Sequence, residues 1–169
     1  MTKAKFDKVI PVKSDGYPRV SIIIITFNSA DSVEGCLSSV FKVNYPRDKY
    51  EIIVVDSGST DGTLDIVKKF PVDKLIVEEG ALRGKARNIG VREATGEIVA
   101  MVDSDLSSTD DDWLARAVKG FDDPQVALVR GADLILLPSK DMNFFQRAIY
   151  FLSIVPSRIL LRKEDFNGK

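Results

Sequence analysis

Short unbroken runs of apolar, β-branched residues recur along the chain. The first is Val20–Thr26, and similar runs cover residues 51–55 and 97–102. Because these runs do not alternate with polar positions, they predict strands covered on both faces, as in a parallel sheet. Residues 74–77 and 125–131 predict a short third strand and a fifth strand.

Apolar residues at helical spacing fill the intervals between these strands. They predict a helix capped by Asn28-Ser29 and further helices over residues 63–70, 84–94 and 111–121. Strands that alternate with helices imply right-handed crossovers. The predicted fold class is therefore α/β, a doubly wound, mainly parallel sheet with helices on both faces.

The length of 169 residues suits a single domain with a real core. Residues 1–18 form a polar N-terminal extension, and residues 19–140 contain the predicted α/β domain. Residues 141–169 have apolar positions at helical spacing and predict an apolar C-terminal helical segment, the start of an incomplete further half. No apolar run is long enough to predict a membrane-spanning helix.

Composition narrows the chemistry that is available. A net charge of −1 gives no basic surface for nucleic acid, so no nucleic-acid partner is expected. The single cysteine excludes an internal disulfide. The absence of histidine excludes imidazole bases and His-ligated zinc. Acid–base or metal chemistry must therefore use carboxylates.

Polar motifs follow three of the predicted strands, at the point where each strand ends. They are Thr26-Phe27-Asn28, Asp56-Ser57-Gly58-Ser59 and Asp103-Ser104-Asp105. The carboxyl ends of parallel strands lie at one edge of a sheet, and open α/β sheets bind ligands there. We therefore expect the three motifs to meet in one crevice.

Asp103 and Asp105 are the candidate metal ligands. Two carboxylates one residue apart can face one hard cation, or divide between a cation and a ligand hydroxyl. Oxygen donors without His or Cys favour Mg²⁺ or Mn²⁺. Such a triplet also occurs in solvated turns, but its position after a buried strand favours the metal interpretation.

Asp56 and a basic segment are candidate contacts for a nucleotide. Asp56 can accept hydrogen bonds from a base or a ribose, or it can bond its own turn backbone. Asp61, before a glycine, fits turn chemistry or a helix N-cap. Residues 83–88 place three cations near a helix start, which suits phosphate, although a solvated basic face is the alternative.

Four ordered segments resemble the family 2 inverting glycosyltransferases. They are residues 20–28, 54–63, 84–90 and 103–105, within a resemblance that covers about residues 19–165. The resemblance implies the A-type glycosyltransferase fold and a role in cell-envelope or polysaccharide biosynthesis. It implies metal-dependent transfer of a sugar, with inversion, from a nucleoside diphosphate sugar to the hydroxyl of a saccharide or lipid-linked acceptor. A UDP-sugar is the favoured donor.

The resemblance also implies roles for individual residues. Asp56 corresponds to the family's base-binding aspartate, Asp103 to a ribose or metal contact, and Asp105 to a metal ligand. Ser57 replaces a second aspartate that is often present there. Together with the basic segment, the expected nucleotide-sugar-binding residues are Thr26, Phe27, Asn28, Asp56, Gly84, Lys85, Arg87, Asn88 and Asp103.

The catalytic base is not identified by the resemblance. Residues 159–166 resemble the stretch before the family's acceptor segment, and the region after that segment usually supplies the base. We therefore expect a truncated chain that binds a nucleotide sugar. Whether it also transfers the sugar is not predicted by the sequence. Two alternatives remain, a catalytically inactive binding module and a nucleotidyltransferase. The second normally has a glycine-rich loop after the first strand, which residues 26–29 lack.

The apolar C-terminal segment has two interpretations. It covers the missing half of the domain, or residues 144–163 contact a membrane surface near a lipid-linked acceptor. Left uncovered, it would promote self-association. The expected location is the cytoplasm or the cytoplasmic face of the membrane.

Overall fold

The structure is a computed structural model that describes residues 16–123, 128–130 and 159–162. Its strands form one sheet. They are β1 (Val20–Thr26), β2 (Tyr50–Asp56), β3 (Lys74–Val77), β4 (Ile98–Asp103), β5 (Leu128–Arg130) and β6 (Ile159–Arg162). Their order across the sheet is β3-β2-β1-β4-β6-β5.

In the described residues, four α-helices lie between successive strands from β1 to β5. They are α1 (Val33–Val40), α2 (Thr63–Val67), α3 (Arg83–Glu93) and α4 (Trp113–Lys119), with 3-10 turns at Arg47–Lys49 and Gly120–Asp122. Among the described ranges, none of these helices has both the length and the apolar character needed to cross a membrane.

The start of α1 differs from the prediction. Its N-cap is Ser32, not the Asn28-Ser29 pair, and no side chain caps it by a hydrogen bond. The carbonyl of Ser29 instead accepts the amides of Ser32 and Val33 in a turn before the helix. The amides of Asn28 and Ser29 instead donate hydrogen bonds to Ser59 and Thr63.

The central strands are parallel and in register, as predicted. β1 lies between β2 and β4, and β2 also pairs with β3. Thr26 is opposite Asp56, and Ile25 is opposite Asp103. The register therefore brings the ends of β1, β2 and β4 to the same edge.

Strand β6 corrects part of the prediction for the C-terminal segment. Residues 141–169 were expected to be helical, but Ile159–Arg162 pairs antiparallel with β4 and with β5. Without β6, β4 would be a sheet edge with unpaired backbone groups, and pairing satisfies them. The predicted apolar helix and most of the expected membrane contact lie outside the described residues.

Helices cover both faces of the sheet, which confirms the doubly wound class. Ile22 and Ile24 of β1 belong to a core that includes residues of α1, α2 and α4, whereas Ile23 points to the opposite core. That second core contains residues of α3 such as Ala86 and Val91. Each fully buried isoleucine stabilises the fold by roughly 1.5–3 kcal/mol.

A buried carboxylate ties the amino edge of the sheet together. Glu51 of β2 is 5% exposed, and its Oε1 accepts hydrogen bonds from Ser21 Oγ and from the amide and hydroxyl of Thr95. Burial is the largest influence and raises the pKa of Glu51, but these hydrogen bonds together lower it below the usual value. The carboxylate is held in its charged form at the edge away from the three polar motifs.

Candidate functional site

A cavity of about 640 Å³ opens at the carboxyl edge of the sheet. Its lining combines the loops after β1 and β4 with the start of α3. The lining residues are Ile25, Thr26, Phe27, Asn28, Ser29, Asp31, Ser32, Ser57, Gly80, Ala81, Leu82, Arg83, Asp103, Ser104 and Asp105. The predicted meeting of the three motifs at one edge is therefore confirmed.

The two candidate metal ligands differ in their surroundings. Asp103 is partly buried, and its Oδ1 accepts a hydrogen bond from Arg87 Nη2 at 3.1 Å. Asp105 is exposed, and no cation of the described ranges pairs with its carboxylate. One oxygen of Asp103 and both oxygens of Asp105 are therefore available to a ligand in the cavity.

This donor set fits a hard divalent cation only in part. All the available oxygens are carboxylate oxygens, which Mg²⁺ and Mn²⁺ prefer. No group of three or more acidic or thiol side chains in the described part of the chain could hold a metal ion. Two carboxylates leave most positions of an octahedral ion to water and to ligand phosphate.

Asp56 lies beneath the cavity instead of lining it. The residue is 0% exposed, and Oδ1 accepts the amides of Gly58 and Ser59 at 2.9 and 2.8 Å. Oδ2 accepts the hydroxyls of Thr26 and Ser59 at 2.8 and 2.5 Å. These four bonds occupy the usual acceptor positions of a carboxylate. The bonds to the amides of Gly58 and Ser59 agree with the turn interpretation of Asp56, and its contact with a base stays a prediction.

Side-chain oxygens of the β2–α2 loop and of the first residue of α2 accept hydrogen bonds from three consecutive amides of the loop after β1. The three bonds are Asn28 N to Ser59 Oγ (2.8 Å), Ser29 N to Thr63 Oγ1 (2.8 Å) and Ala30 N to Asp61 Oδ2 (3.0 Å).

Asn28 returns a bond of its own to the β2–α2 loop. Its Oδ1 accepts the amide of Thr60 at 2.9 Å, and its φ of 47° lies in the left-handed region that asparagine tolerates. The side chain and the amide of Asn28 therefore both face the neighbouring loop.

Asp61 was expected to belong to its own turn, and the structure adds a long-range contact. Its Oδ1 accepts both the amide and the hydroxyl of Thr63, as a turn aspartate would. Its Oδ2 accepts the amide of Ala30, 31 residues away in sequence. The hydrogen bond from the Thr63 hydroxyl, followed by that from Ala30, lowers the pKa of Asp61.

The residues of the basic segment, 83–88, have different surroundings in the structure. Arg83, the first of the three cations in this segment, lines the cavity. Arg87 pairs with Asp103, whereas Lys85 Nζ pairs with Glu78 Oε1 at 2.5 Å. Gly84, Lys85 and Asn88 are exposed on α3 and do not line the cavity.

Several lining residues were not predicted from the sequence. Phe27 was expected there, but Leu82, which is 81% exposed, joins it at the cavity. Asp31 also lines the cavity. A leucine directly before a basic helix start is the sequence signal that could have indicated Leu82.

Known proteins that resemble this chain are glycosyltransferases. A model of the family described as Glycosyl transferase family 2 matches residues 21–157. Glycosyltransferase AglE of Haloferax volcanii is 39% identical over 119 residues, which cover 68% of this chain and 39% of AglE.

Solved structures that resemble this chain are also glycosyltransferases. Mannosyltransferase PcManGT from Pyrobaculum calidifontis, in complex with GDP-Man and Mn²⁺, is 33% identical with a TM-score of 0.69, covering 90% of this chain and 47% of PcManGT. S. aureus TarS 1-349 in complex with UDP-GlcNAc is 26% identical with a TM-score of 0.64, covering 86% of this chain and 45% of TarS 1-349. The chain thus spans less than half the length of each.

Proposed function

Because the chain belongs to glycosyl transferase family 2 and has the fold of the A-type glycosyltransferases, we propose that its carboxyl edge binds a nucleoside diphosphate sugar. The sugar is transferred, with inversion, to the hydroxyl of a saccharide or lipid-linked acceptor. The cavity of about 640 Å³ carries this proposal, since Phe27 and Asp105 share it and its size suits a ligand of this class.

The nucleoside end of the ligand is proposed to lie against the loop after β1. Phe27 is 61% exposed at the cavity and offers an apolar face to a base. Thr26 and Asn28 line the same wall. Asp56 is the proposed acceptor for a base N–H, and this contact requires the hydroxyl of Thr26 or Ser59 to rotate away from Asp56 Oδ2.

The diphosphate is proposed to lie between the acidic triplet and the start of α3. Asp105, with the free oxygen of Asp103, would hold Mg²⁺ or Mn²⁺, and the diphosphate oxygens would complete its coordination. When bound, the metal neutralises the charge that grows on the departing diphosphate. Arg83 lines the same cavity, and Gly84, Lys85, Arg87 and Asn88 follow it on α3.

The chemical step is a displacement at the anomeric carbon. The acceptor oxygen forms its bond on the face opposite the nucleotide, and the bond to the diphosphate oxygen breaks with its electron pair. The acceptor proton passes to a general base, to which we assign no residue. A UDP-sugar is the proposed donor, and the cytoplasm, or the cytoplasmic face of the membrane, is the proposed location.

Isothermal titration with UDP, GDP and their sugars, each with and without Mn²⁺, tests the proposal. We expect binding of at least one nucleotide that strengthens with Mn²⁺, and weak binding of Mn²⁺ alone because the protein offers two carboxylates. Asp105→Ala should remove the metal dependence. The matched control is Asp111→Ala, another exposed aspartate in the segment between β4 and α4, and it should behave like the wild type.

Several outcomes would redirect the proposal. Equal nucleotide affinity with and without Mn²⁺ would refute the metal role. Binding of every ligand without transfer to any acceptor would favour the inactive binding module. Release of pyrophosphate from a nucleoside triphosphate and a sugar phosphate would instead identify a nucleotidyltransferase.

A further inference from the structure

Asp61 is an exposed side chain that does not line the cavity, yet it reaches the loop that does. Its two oxygens accept three hydrogen bonds, two from Thr63 and one from the amide of Ala30. The bond to Ala30 joins the β2–α2 loop to the loop after β1. Its side chain contributes little apolar burial, so its contacts act mainly on loop geometry.

Thr63 extends the contact by one residue. Its hydroxyl is 0% exposed, donates its hydrogen to Asp61 Oδ1 and accepts the amide of Ser29 at 2.8 Å. A hydroxyl has only one hydrogen, so donation to Asp61 directs its lone pairs toward Ser29. Asp61 therefore fixes two consecutive amides, one directly and one through Thr63.

The same loop is bonded to the acidic triplet. Ser104 Oγ donates to Ser29 Oγ at 2.9 Å, and both residues line the cavity. A continuous set of hydrogen bonds thus runs from Asp61 through Thr63 and Ser29 to Ser104. It links the wall that contains Phe27 to the triplet that contains Asp105.

We infer that Asp61 is a positioning residue for nucleotide binding, which acts with Thr63 to hold the wall from Phe27 to Ser29 in the geometry that receives the ligand. A wall held in place before binding saves the entropy of ordering it when the ligand arrives. This inference rests on the proposed function, because it assumes that the cavity binds a nucleotide.

Four variants of the full chain test this role. Asp61→Asn replaces one acceptor with a donor, and Thr63→Val removes the hydroxyl while keeping the buried shape. Thr63→Ser restores the hydroxyl. Asp65→Asn is the matched control, since Asp65 is exposed on α2 and, among the described residues, its carboxylate pairs only with Lys68, at 3.9 Å.

Two measurements are made on each variant. In titrations with UDP and GDP plus Mn²⁺, we expect Asp61→Asn and Thr63→Val to weaken binding about fivefold to tenfold, with Thr63→Ser within about twofold of the wild type. Hydrogen exchange of the unliganded protein should be faster at the amides of Ser29 and Ala30 in the same two variants. Asp65→Asn should change neither quantity.

The outcomes separate this inference from the proposed function. If the wild type binds neither nucleotide, the proposed function is wrong. If the wild type binds and the two variants exchange faster but bind equally well, the positioning role is overturned. Unchanged exchange in both variants, or equal losses of affinity in Thr63→Ser and Thr63→Val, would overturn it as well.

Discussion

Asp56 is a fully buried carboxylate whose oxygens accept four hydrogen bonds. Asp56→Asn keeps the size and shape of the side chain, but it replaces one carboxylate oxygen with an NH₂ group. That group then faces a hydrogen-bond donor of the protein. Because a buried donor then loses its acceptor, we expect the free energy of unfolding to fall by about 1–3 kcal/mol. Urea denaturation of the variant and the wild type measures this change.

The same variant also tests the base contact. Asn at position 56 can accept a base N–H with one oxygen only, so we expect weaker binding of a free nucleoside in a titration. A variant that unfolds at lower urea but binds the nucleoside as the wild type does would make Asp56 a structural residue. Asp65→Asn again serves as the control, since it lies on α2 outside the cavity.

The positions of site residues were predictable where those residues directly follow a strand. The placement of Asp103 and Asp105 at the cavity follows from the apolar run before them. The bond between Asp61 and Ala30 was not predictable, because Asp61-Gly62 is also an ordinary turn sequence. Only the parallel pairing of β1 with β2 brings those two loops together.

Helix α3 depends on a glycine where it packs against β1. A Cβ built on Gly90 would overlap Ile23 Cγ2 in the buried core. We expect Gly90→Ala to lower the free energy of unfolding by about 1–3 kcal/mol, since overpacking outweighs the better helix propensity of alanine. Thermal or urea denaturation measures the loss.

Gly84 is the matched control within the same helix. A Cβ at Gly84 would meet nothing within 4 Å, so Gly84→Ala should leave stability unchanged or raise it by up to about 1 kcal/mol. Equal effects of the two substitutions would mean that helix propensity, and not packing against Ile23, determines the result.

Elements were predictable where local pattern and tertiary packing agree. β1 has the predicted bounds, because its apolar residues are buried on both faces. β6 was not predicted, because residues 141–169 were expected as a whole to be helical. The strand conformation of β6 depends on its pairing with β4, a long-range contact that the periodicity of the sequence does not show.

The sheet has two polar edges, one that we propose binds the ligand and another that holds strands together. Glu51 lies at the second edge, bonded to Ser21 and Thr95. Its lowered pKa means that the folded state favours the charged form, so its contribution to stability is present above the usual value of 4.5 and is lost as pH falls through the folded value.

Glu51→Gln should therefore destabilise the protein in a pH-dependent way. We expect a loss of about 1–3 kcal/mol in the free energy of unfolding near neutral pH. The difference from the wild type should begin to narrow below about pH 4.5, where Glu51 of the unfolded chain takes up a proton, and it should be lost at lower pH, where Glu51 of the folded protein is protonated as well. Denaturation series from pH 7 to pH 3 measure it. Glu34→Gln, at an exposed position of α1, should show no such narrowing.

The position of β6 between β4 and β5 also determines the order in which the sheet can be completed during synthesis. β4 ends at residue 103, whereas β6 begins at residue 159, and among the described strands β5 pairs with β6 alone. At ordinary rates of translation, a growing chain therefore leaves one side of β4 open for roughly several seconds. An open strand edge can pair with other chains, so we expect this side of β4 to be exposed to such pairing until β6 has been synthesised.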